Sequence, residues 1–131
     1  MKYEIYSYDD IGFKKVFNYK SWSIAYLNFI DELIVDNLKY VEAHHETDEA
    51  FILLNGNASI IIADNNLTPM SFKKVKLELE KVFVVKSDSY HTLILDEDAK
   101  ILIIEENNTN DDNTSKIFLT KNDIIKIKDL K

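Results

Sequence analysis

Histidine and carboxylate side chains crowd into one stretch of the chain, Val41–Gly56, and their types and spacing fit a metal site. His44 and His45 are followed closely by Glu49 and then by an apolar run. His91, the remaining histidine of the chain, begins a second apolar run downstream. Imidazole nitrogens and carboxylate oxygens that meet inside a small β-barrel can hold a divalent metal.

The alternation of side chains along a strand decides which of these residues can meet. Residues i and i+2 point to the same face, so Glu42 and His44 share a face and His45 points the other way. By the same rule Glu49 shares a face with Phe51. If these faces and that of His91 line a barrel, two imidazoles and one or two carboxylates converge above an apolar floor. Two histidines and a carboxylate with open coordination positions form the arrangement that non-heme iron enzymes use.

Short strands are the elements that must position these residues. Runs of apolar and β-branched residues separated by turn residues are typical of an all-β sandwich or barrel. Asn55-Gly56, between two apolar runs, predicts a β-hairpin. The predicted strands are Tyr3–Tyr6, Gly12–Tyr19, Ser21–Ile30, Leu38–His44, Ala50–Leu54, Ala58–Ala63, Ser71–Leu79, Val82–Val85, His91–Leu95 and Lys100–Ile104.

The remaining segments are predicted as connections and a tail. Glu105–Ser115 is polar and is expected to be an exposed loop, with its acidic part, Glu105–Asp112, as solvated surface. Ile30–Asn37 fits either a loop or a helical turn. Thr120 and Asp123 have the spacing of a capping box, which predicts a short C-terminal helical tail. We expect a single domain over residues 1–131, with no internal repeat.

Composition excludes several classes of function. The 131 residues are 46% hydrophobic and 30% charged, which suits one folded domain. The net charge of −7 argues against nucleic acid as a partner, and no apolar run approaches the length of a membrane helix. No cysteine is present, and the N-terminus lacks the apolar region of a signal peptide, so a cytoplasmic location is expected. The chain contains no arginine, which disfavours strongly anionic ligands.

Two stretches resemble the sequence motifs of the cupin family. Glu42-Ala-His44-His45-Glu-Thr-Asp-Glu49, followed after six residues by Gly56, resembles the first motif, which is His-x-His, three or four residues, Glu, six residues, Gly. With Glu49 aligned, Glu42 falls at the first histidine of the motif and His44 at the second. The shorter spacing variant would place His45 at the second histidine instead.

The second motif is matched in spacing but not in every residue. Glu80-Lys-Val-Phe-Val-Val-Lys86-Ser-Asp88-Ser-Tyr-His91 resembles Gly, five residues, Pro-x-Gly, two residues, His. Glu80, Lys86 and Asp88 replace the two glycines and the proline, so the motif is degenerate. The resemblance covers residues 38–105 and implies an all-β, double-stranded β-helix (jelly-roll) barrel.

The resemblance also implies a ligand set. A divalent metal (Zn, Mn, Fe or Ni) would be held by His44, Glu49 and His91, with Glu42 where a histidine usually binds. Glu42 fits an unligated acid at the barrel mouth equally well, and His45 remains an alternative to His44. The same residues would also fit a metal-free polar cluster.

Further residues are candidates for the site, although the aromatic ones among them are first of all expected in the core. Tyr26 and Phe51 are expected to line a substrate pocket, and Glu49 or Glu42 to move a proton. One hypothesis is a metal-dependent isomerase, lyase or oxygenase acting on a small metabolite. The other is a non-catalytic cupin that binds a small ligand, with or without a structural metal. We expect a homodimer that pairs through the aromatic-rich Tyr3–Phe17 segment.

Overall fold

Two antiparallel five-stranded sheets make up the protein in the computed structural model, which describes residues 1–131. The first sheet has the order β1-β2-β9-β4-β7 and the second the order β10-β3-β8-β5-β6. The strands are β1 (Phe13–Tyr19), β2 (Trp22–Asn28), β3 (Tyr40–His44), β4 (Glu49–Asn55), β5 (Ala58–Asp64), β6 (Ser71–Lys76), β7 (Val82–Val85), β8 (His91–Leu95), β9 (Lys100–Glu106) and β10 (Thr114–Phe118).

The core lies between the inner faces of these sheets. Alternate residues of each central strand point inward, and Phe51 (β4), Ile60 (β5) and Ile101 (β9) are almost completely buried there. Sheets that pack face to face in this way bury one side of each strand and leave the other side to solvent. The arrangement is an all-β jelly-roll barrel, which confirms the predicted fold class.

The N-terminal segment differs from the prediction. Tyr3–Tyr6 was predicted as a strand, but the structure has no strand before Phe13. The segment is held instead by side-chain contacts, because Asn28 Nδ2 donates hydrogen bonds to the Tyr8 and Asp10 carbonyls at 2.9 and 2.7 Å. Aromatic and β-branched residues favour strands only where a neighbouring strand pairs with them. β1 pairs with β2 alone, so no strand of the chain pairs with the segment before Phe13.

The predicted loop Glu105–Ser115 is wrong at both ends. β9 continues through Glu105 and Glu106, and β10 begins at Thr114 and pairs with β3. Between them Asp111–Asn113 forms a 3-10 turn that Asn110 caps. The polar composition led to the prediction of solvent exposure, but the side chain of Glu105 shares the inward face of Ile103.

The C-terminal tail is helical, as predicted. α1 spans Lys121–Lys128, and Thr120 caps it: the Asp123 N–H donates to Thr120 Oγ1 at 3.1 Å, and the Thr120 N–H donates to the Asp123 carboxylate at 2.9 Å. Ile127 of the helix packs on Leu38 and Ile61, on the outer side of the second sheet. Ile30–Asn37 contains two 3-10 turns. No helix is long and apolar enough to cross a bilayer.

The predicted hairpin at Asn55-Gly56 is wrong, because β4 and β5 belong to different sheets and do not pair; the segment is a turn between the sheets. Gly56 allows this turn to pass close to the β8–β9 turn. Its φ is +72°, and an added Cβ would lie 2.5 Å from the carbonyl carbon of Asp98. Gly56→Ala is therefore expected to lower the free energy of unfolding by ~3 kcal/mol, from backbone strain and a clash with a rigid main chain. Urea denaturation would measure the loss.

Gly12→Ala is the matched control for this substitution. Gly12 also has a positive φ (+81°), but its Cβ would meet only the terminal carbon of Ile30, at 3.3 Å. The cost there is expected to be about 1 kcal/mol, from backbone strain alone. Equal losses for the two variants would show that the close approach at Asp98 contributes nothing.

Candidate metal centre

Three strand ends bring two histidines and one glutamate together inside the barrel. His44 ends β3, Glu49 begins β4 and His91 begins β8. All three side chains are buried, and one ligand atom from each lies within 4.8 Å of the other two. The two imidazole rings are 5.5 Å apart and inclined at 70°. The sequence analysis named these three residues, together with Glu42, as candidate metal ligands.

Both histidines direct the same ring nitrogen at the same carboxylate oxygen. Nε2 of His91 lies 3.0 Å from Oε1 of Glu49, and Nε2 of His44 lies 3.2 Å from that oxygen. Each ring is held from behind through Nδ1. His91 Nδ1 donates to the Ser89 carbonyl at 2.9 Å, and His44 Nδ1 is hydrogen-bonded to the Thr114 hydroxyl at 2.8 Å. Outer contacts of this kind fix the orientation of ligating histidines.

The Ser89 contact determines what His91 presents to the centre. A carbonyl oxygen only accepts hydrogen bonds, so Nδ1 of His91 carries a proton. In neutral His91, Nε2 is then a bare lone pair that faces a carboxylate oxygen at 3.0 Å. Two lone pairs at that distance repel unless a proton or a cation joins them. The donor set therefore fits a divalent cation bound by His44, Glu49 and His91.

Electrostatics in the metal-free centre point the same way. Burial alone would raise the pKa of Glu49, but hydrogen bonds from His44 and His91 outweigh it and lower the pKa to about 2. Burial opposes the charge on His44, yet the hydrogen bond to Glu49 and the charges of Glu49 and Glu42 raise its pKa overall. The centre thus keeps an ionised carboxylate that attracts positive charge.

Glu42 lies beside this group without joining it. Its Oε1 is 3.7 Å from Nε2 of His44, and the residue is half-buried on β3, opposite His91 in the strand register. It shares the inward face with His44, as the alternation rule predicts. Its carboxylate is outside the set of three ligand atoms that lie mutually within 4.8 Å.

His45 faces away from the barrel and joins three segments at the surface. Its Nδ1 is 2.6 Å from Oδ1 of Asp88, and its Nε2 is 2.6 Å from Oγ of Ser115. His45 is thus engaged on the opposite side of the sheet from Glu49. Asp48 also points outward, where it pairs with Lys86 and accepts a hydrogen bond from the backbone of Ser87.

A cavity of about 540 Å³ opens from the centre toward the barrel mouth. Its floor is apolar, and Phe51 forms part of it with its ring 6.1 Å from that of His91. Tyr26, also predicted to line a pocket, lies outside the cavity. It is on the opposite face of β2 from the cavity residue Leu27, and Lys100 Nζ sits 5.2 Å from its ring.

Glu105 is a cavity residue that the sequence analysis missed. It follows Ile103 on the inward face of β9, and its Oε2 is fully buried without a hydrogen-bond partner in the protein. Burial, and then the negative charge of Glu49, raise its pKa to about 8. The alternation along Ile101, Ile103 and Glu105 was the signal that could have revealed it.

Several solved structures have a fold similar to that of this chain. A cupin-2 domain protein from Shewanella frigidimarina superposes with a TM-score of 0.55 at 19% identity, over 76% of this chain and 84% of that one. The chain has the cupin fold. QdtA, a sugar 3,4-ketoisomerase from Thermoanaerobacterium thermosaccharolyticum in complex with TDP, gives 0.56 at 14% identity, over 70% of this chain and 64% of that one.

A third similar structure is that of FeII HppE, with a TM-score of 0.51 at 16% identity, over 65% of this chain and 42% of that one. The chain therefore spans less than half the length of HppE. The sequence matches no protein-family model and no curated protein. At these identities the likeness establishes the fold alone.

Proposed function

We propose that this single-domain cupin binds one divalent metal through His44, Glu49 and His91 and uses it to hold or transform a small metabolite. The observation that carries the proposal is the convergence of two imidazole nitrogens on one oxygen of Glu49, at 3.0 and 3.2 Å. A metal held by only these three protein ligands would keep coordination positions free for a substrate or water, which is the pattern of catalytic metal sites.

When bound, such a metal supplies a Lewis acid that polarises a carbonyl or hydroxyl oxygen. The other functions of the site are carried out by side chains of the protein. His91 and His44 are oriented by Ser89 and Thr114, and the apolar floor around Phe51 excludes water from one side of the cavity. Glu42, half-buried and 3.7 Å from His44 Nε2, is placed to take up or return a proton.

The reaction class is an isomerisation, an oxygenation or a lyase step on a small molecule. The proposal is supported by two proteins of similar fold, since HppE contains FeII and QdtA binds TDP. The identity of the metal in this chain stays open among Zn, Mn, Fe and Ni, since mixed nitrogen and oxygen donors suit all four.

A non-catalytic binding role is the second candidate, and one observation favours it. With both imidazoles protonated, His44 and His91 donate to Glu49 and form a polar cluster that needs no metal. The cavity would then bind a small ligand without chemistry. Elemental analysis of untagged protein separates the two: about one metal per chain supports the metal centre, and none supports the metal-free cluster.

Metal binding is expected to weaken as the pH falls. The cation binds only to neutral imidazoles, and the pKa of His44 is raised above its usual value of 6.5. Below that pKa a proton competes for Nε2, so the apparent affinity should drop about tenfold per pH unit. Isothermal titration with Zn²⁺ between pH 5.5 and 8 measures this. An affinity that does not change over that range would contradict His44 as a ligand.

The homodimer remains a proposal that is supported by an exposed apolar edge. β1 lies at the edge of the first sheet, and Phe13 and several residues before it expose apolar surface. Light scattering is expected to give twice the chain mass of 15.3 kDa. Phe13→Lys should raise the dimer dissociation constant about tenfold or more, whereas Phe118→Lys, on the edge strand β10, should not. A monomeric wild-type protein would refute the pairing.

We also propose a cytoplasmic location for the protein.

A further inference from the structure

The walls of the cavity carry an unusual balance of charge. Four acids face it besides Glu49, and Lys39 is its single lysine. The four acids are Glu32, Glu42, Glu105 and Asp111. Five carboxylates against one ammonium leave four negative charges. A divalent metal, or protons on both His44 and His91 in the metal-free protein, would offset only two of them. The cavity stays negative even if Glu105 holds a proton.

Glu105 is distinguished from the other acids by an unmet hydrogen bond. Its Oε2 is buried, has no partner in the protein, and belongs to the face of β9 that lines the cavity. Glu105 is also outside the His44, Glu49 and His91 ligand group. A buried polar atom without a partner is costly, so such atoms commonly mark the position of a ligand.

The ligand that would satisfy this site has a defined chemistry. A protonated amine supplies both the missing hydrogen-bond donor and the missing positive charge, and a charge-assisted hydrogen bond to a carboxylate is stronger than a neutral one. An anionic ligand would meet the field of five carboxylates with no arginine to offset it. The apolar floor suits a small carbon skeleton behind the amine.

We propose that Glu105 is the specificity-determining residue of the cavity and selects small amine-bearing cations over neutral and anionic molecules of the same size. This inference rests on the proposed function, because it takes the cavity beside the metal centre as the ligand site. It also defines a residue that contacts the ligand without contacting the metal.

Three probes with the same two-carbon skeleton test the selection: ethanolamine, ethylene glycol and glycolate. Their dissociation constants are measured by NMR chemical-shift titration at pH 8, on EDTA-treated protein and then on Zn²⁺-loaded protein. On the metal-free wild type, ethanolamine is expected to bind about tenfold more tightly than ethylene glycol, and glycolate least tightly. Glu105→Gln should remove the preference for ethanolamine and leave the constant for ethylene glycol unchanged.

Glu106→Gln is the matched control, because it removes the same charge from the adjacent position of β9, on the opposite face. It should leave all three constants unchanged. The inference is overturned if, on the metal-free protein, glycolate binds as tightly as ethanolamine, or if Glu105→Gln and Glu106→Gln behave alike. The zinc stoichiometry of the wild type is determined separately. A wild type that binds no zinc would refute the metal centre, whereas the preference for ethanolamine is measured on the metal-free protein and is tested independently.

Discussion

His91→Ala is expected to weaken divalent-metal binding at least about 100-fold, because it removes one of two nitrogen donors from a three-ligand site. His91 is buried, and its Nε2 lies 3.0 Å from the Glu49 oxygen that His44 also approaches. No other imidazole can take its place, since His45 faces the outer surface. Isothermal titration with Zn²⁺ and metal analysis of the purified variant measure the effect.

Loss of folding must be separated from loss of a ligand in this experiment. His91→Ala also opens a small cavity beside Phe51 and removes a hydrogen bond from buried Glu49, so we expect a cost of ~2–3 kcal/mol to the metal-free protein. Circular dichroism and urea denaturation give the folded fraction of each variant. His91→Gln keeps a polar side chain of similar reach and supplies a second measure of metal loss with less disruption.

His45→Ala is the matched control, because it removes the adjacent imidazole from the other face of β3. It breaks the contacts with Asp88 and Ser115 at the surface but leaves the three ligand atoms in place. Metal stoichiometry should remain that of the wild type. If His45→Ala strips the metal while His91→Ala retains it, the assignment of faces along β3 is wrong.

Local rules predicted much of this fold because the local and tertiary preferences agree. Thr120 and Asp123 form the capping box that begins α1, where one short interaction is enough to specify the geometry. Asn55-Gly56 forms a turn as predicted but not a hairpin, because β4 and β5 pair with other strands in different sheets, which no local signal specifies. The two-residue period of a strand likewise placed Glu42 and His44 on the inward face and His45 outside.

The same rules failed where a polar or aromatic residue has a role that depends on distant segments. Tyr3–Tyr6 has the composition of a strand but no partner within the chain, and Tyr26 lies on the outer face of β2. Glu105 was assigned to solvent because its neighbours are polar. The alternation with Ile101 and Ile103 indicates that Glu105 faces inward, but its burial depends on the pairing of β9 with β4 beside Glu49, which the alternation alone does not specify.

Glu105→Gln is expected to stabilise the metal-free protein at pH 8 by ~2 kcal/mol relative to the wild type. The pKa of Glu105 is raised from 4.5 to about 8, first by burial and then by the charge of Glu49. A full shift of that size would correspond to more energy, but the side chain is partly exposed and solvent screens it. Glutamine keeps the size and a hydrogen-bond donor and never ionises.

The sign follows from proton linkage. Between pH 4.5 and 8 the folded wild type holds a proton on Glu105 that the unfolded chain has released, so the stability of the wild type falls as pH rises through this window. The advantage of the glutamine variant should therefore be near zero at pH 4.5 and fully developed above pH 8. Glu49 contributes in a separate window, since its pKa of about 2 makes stability fall only below pH 4.5.

Urea denaturation of EDTA-treated protein at pH 5 and pH 8 measures the difference, with Glu106→Gln as the outward-facing control on the same strand. The difference between variants is the informative quantity, because the raised pKa of His44 also lowers wild-type stability as pH rises. An equal offset between wild type and Glu105→Gln at both pH values would mean that Glu105 is ionised in the folded protein throughout. The buried oxygen would then require a cation beside it even without ligand, and the metal centre would have to extend to β9.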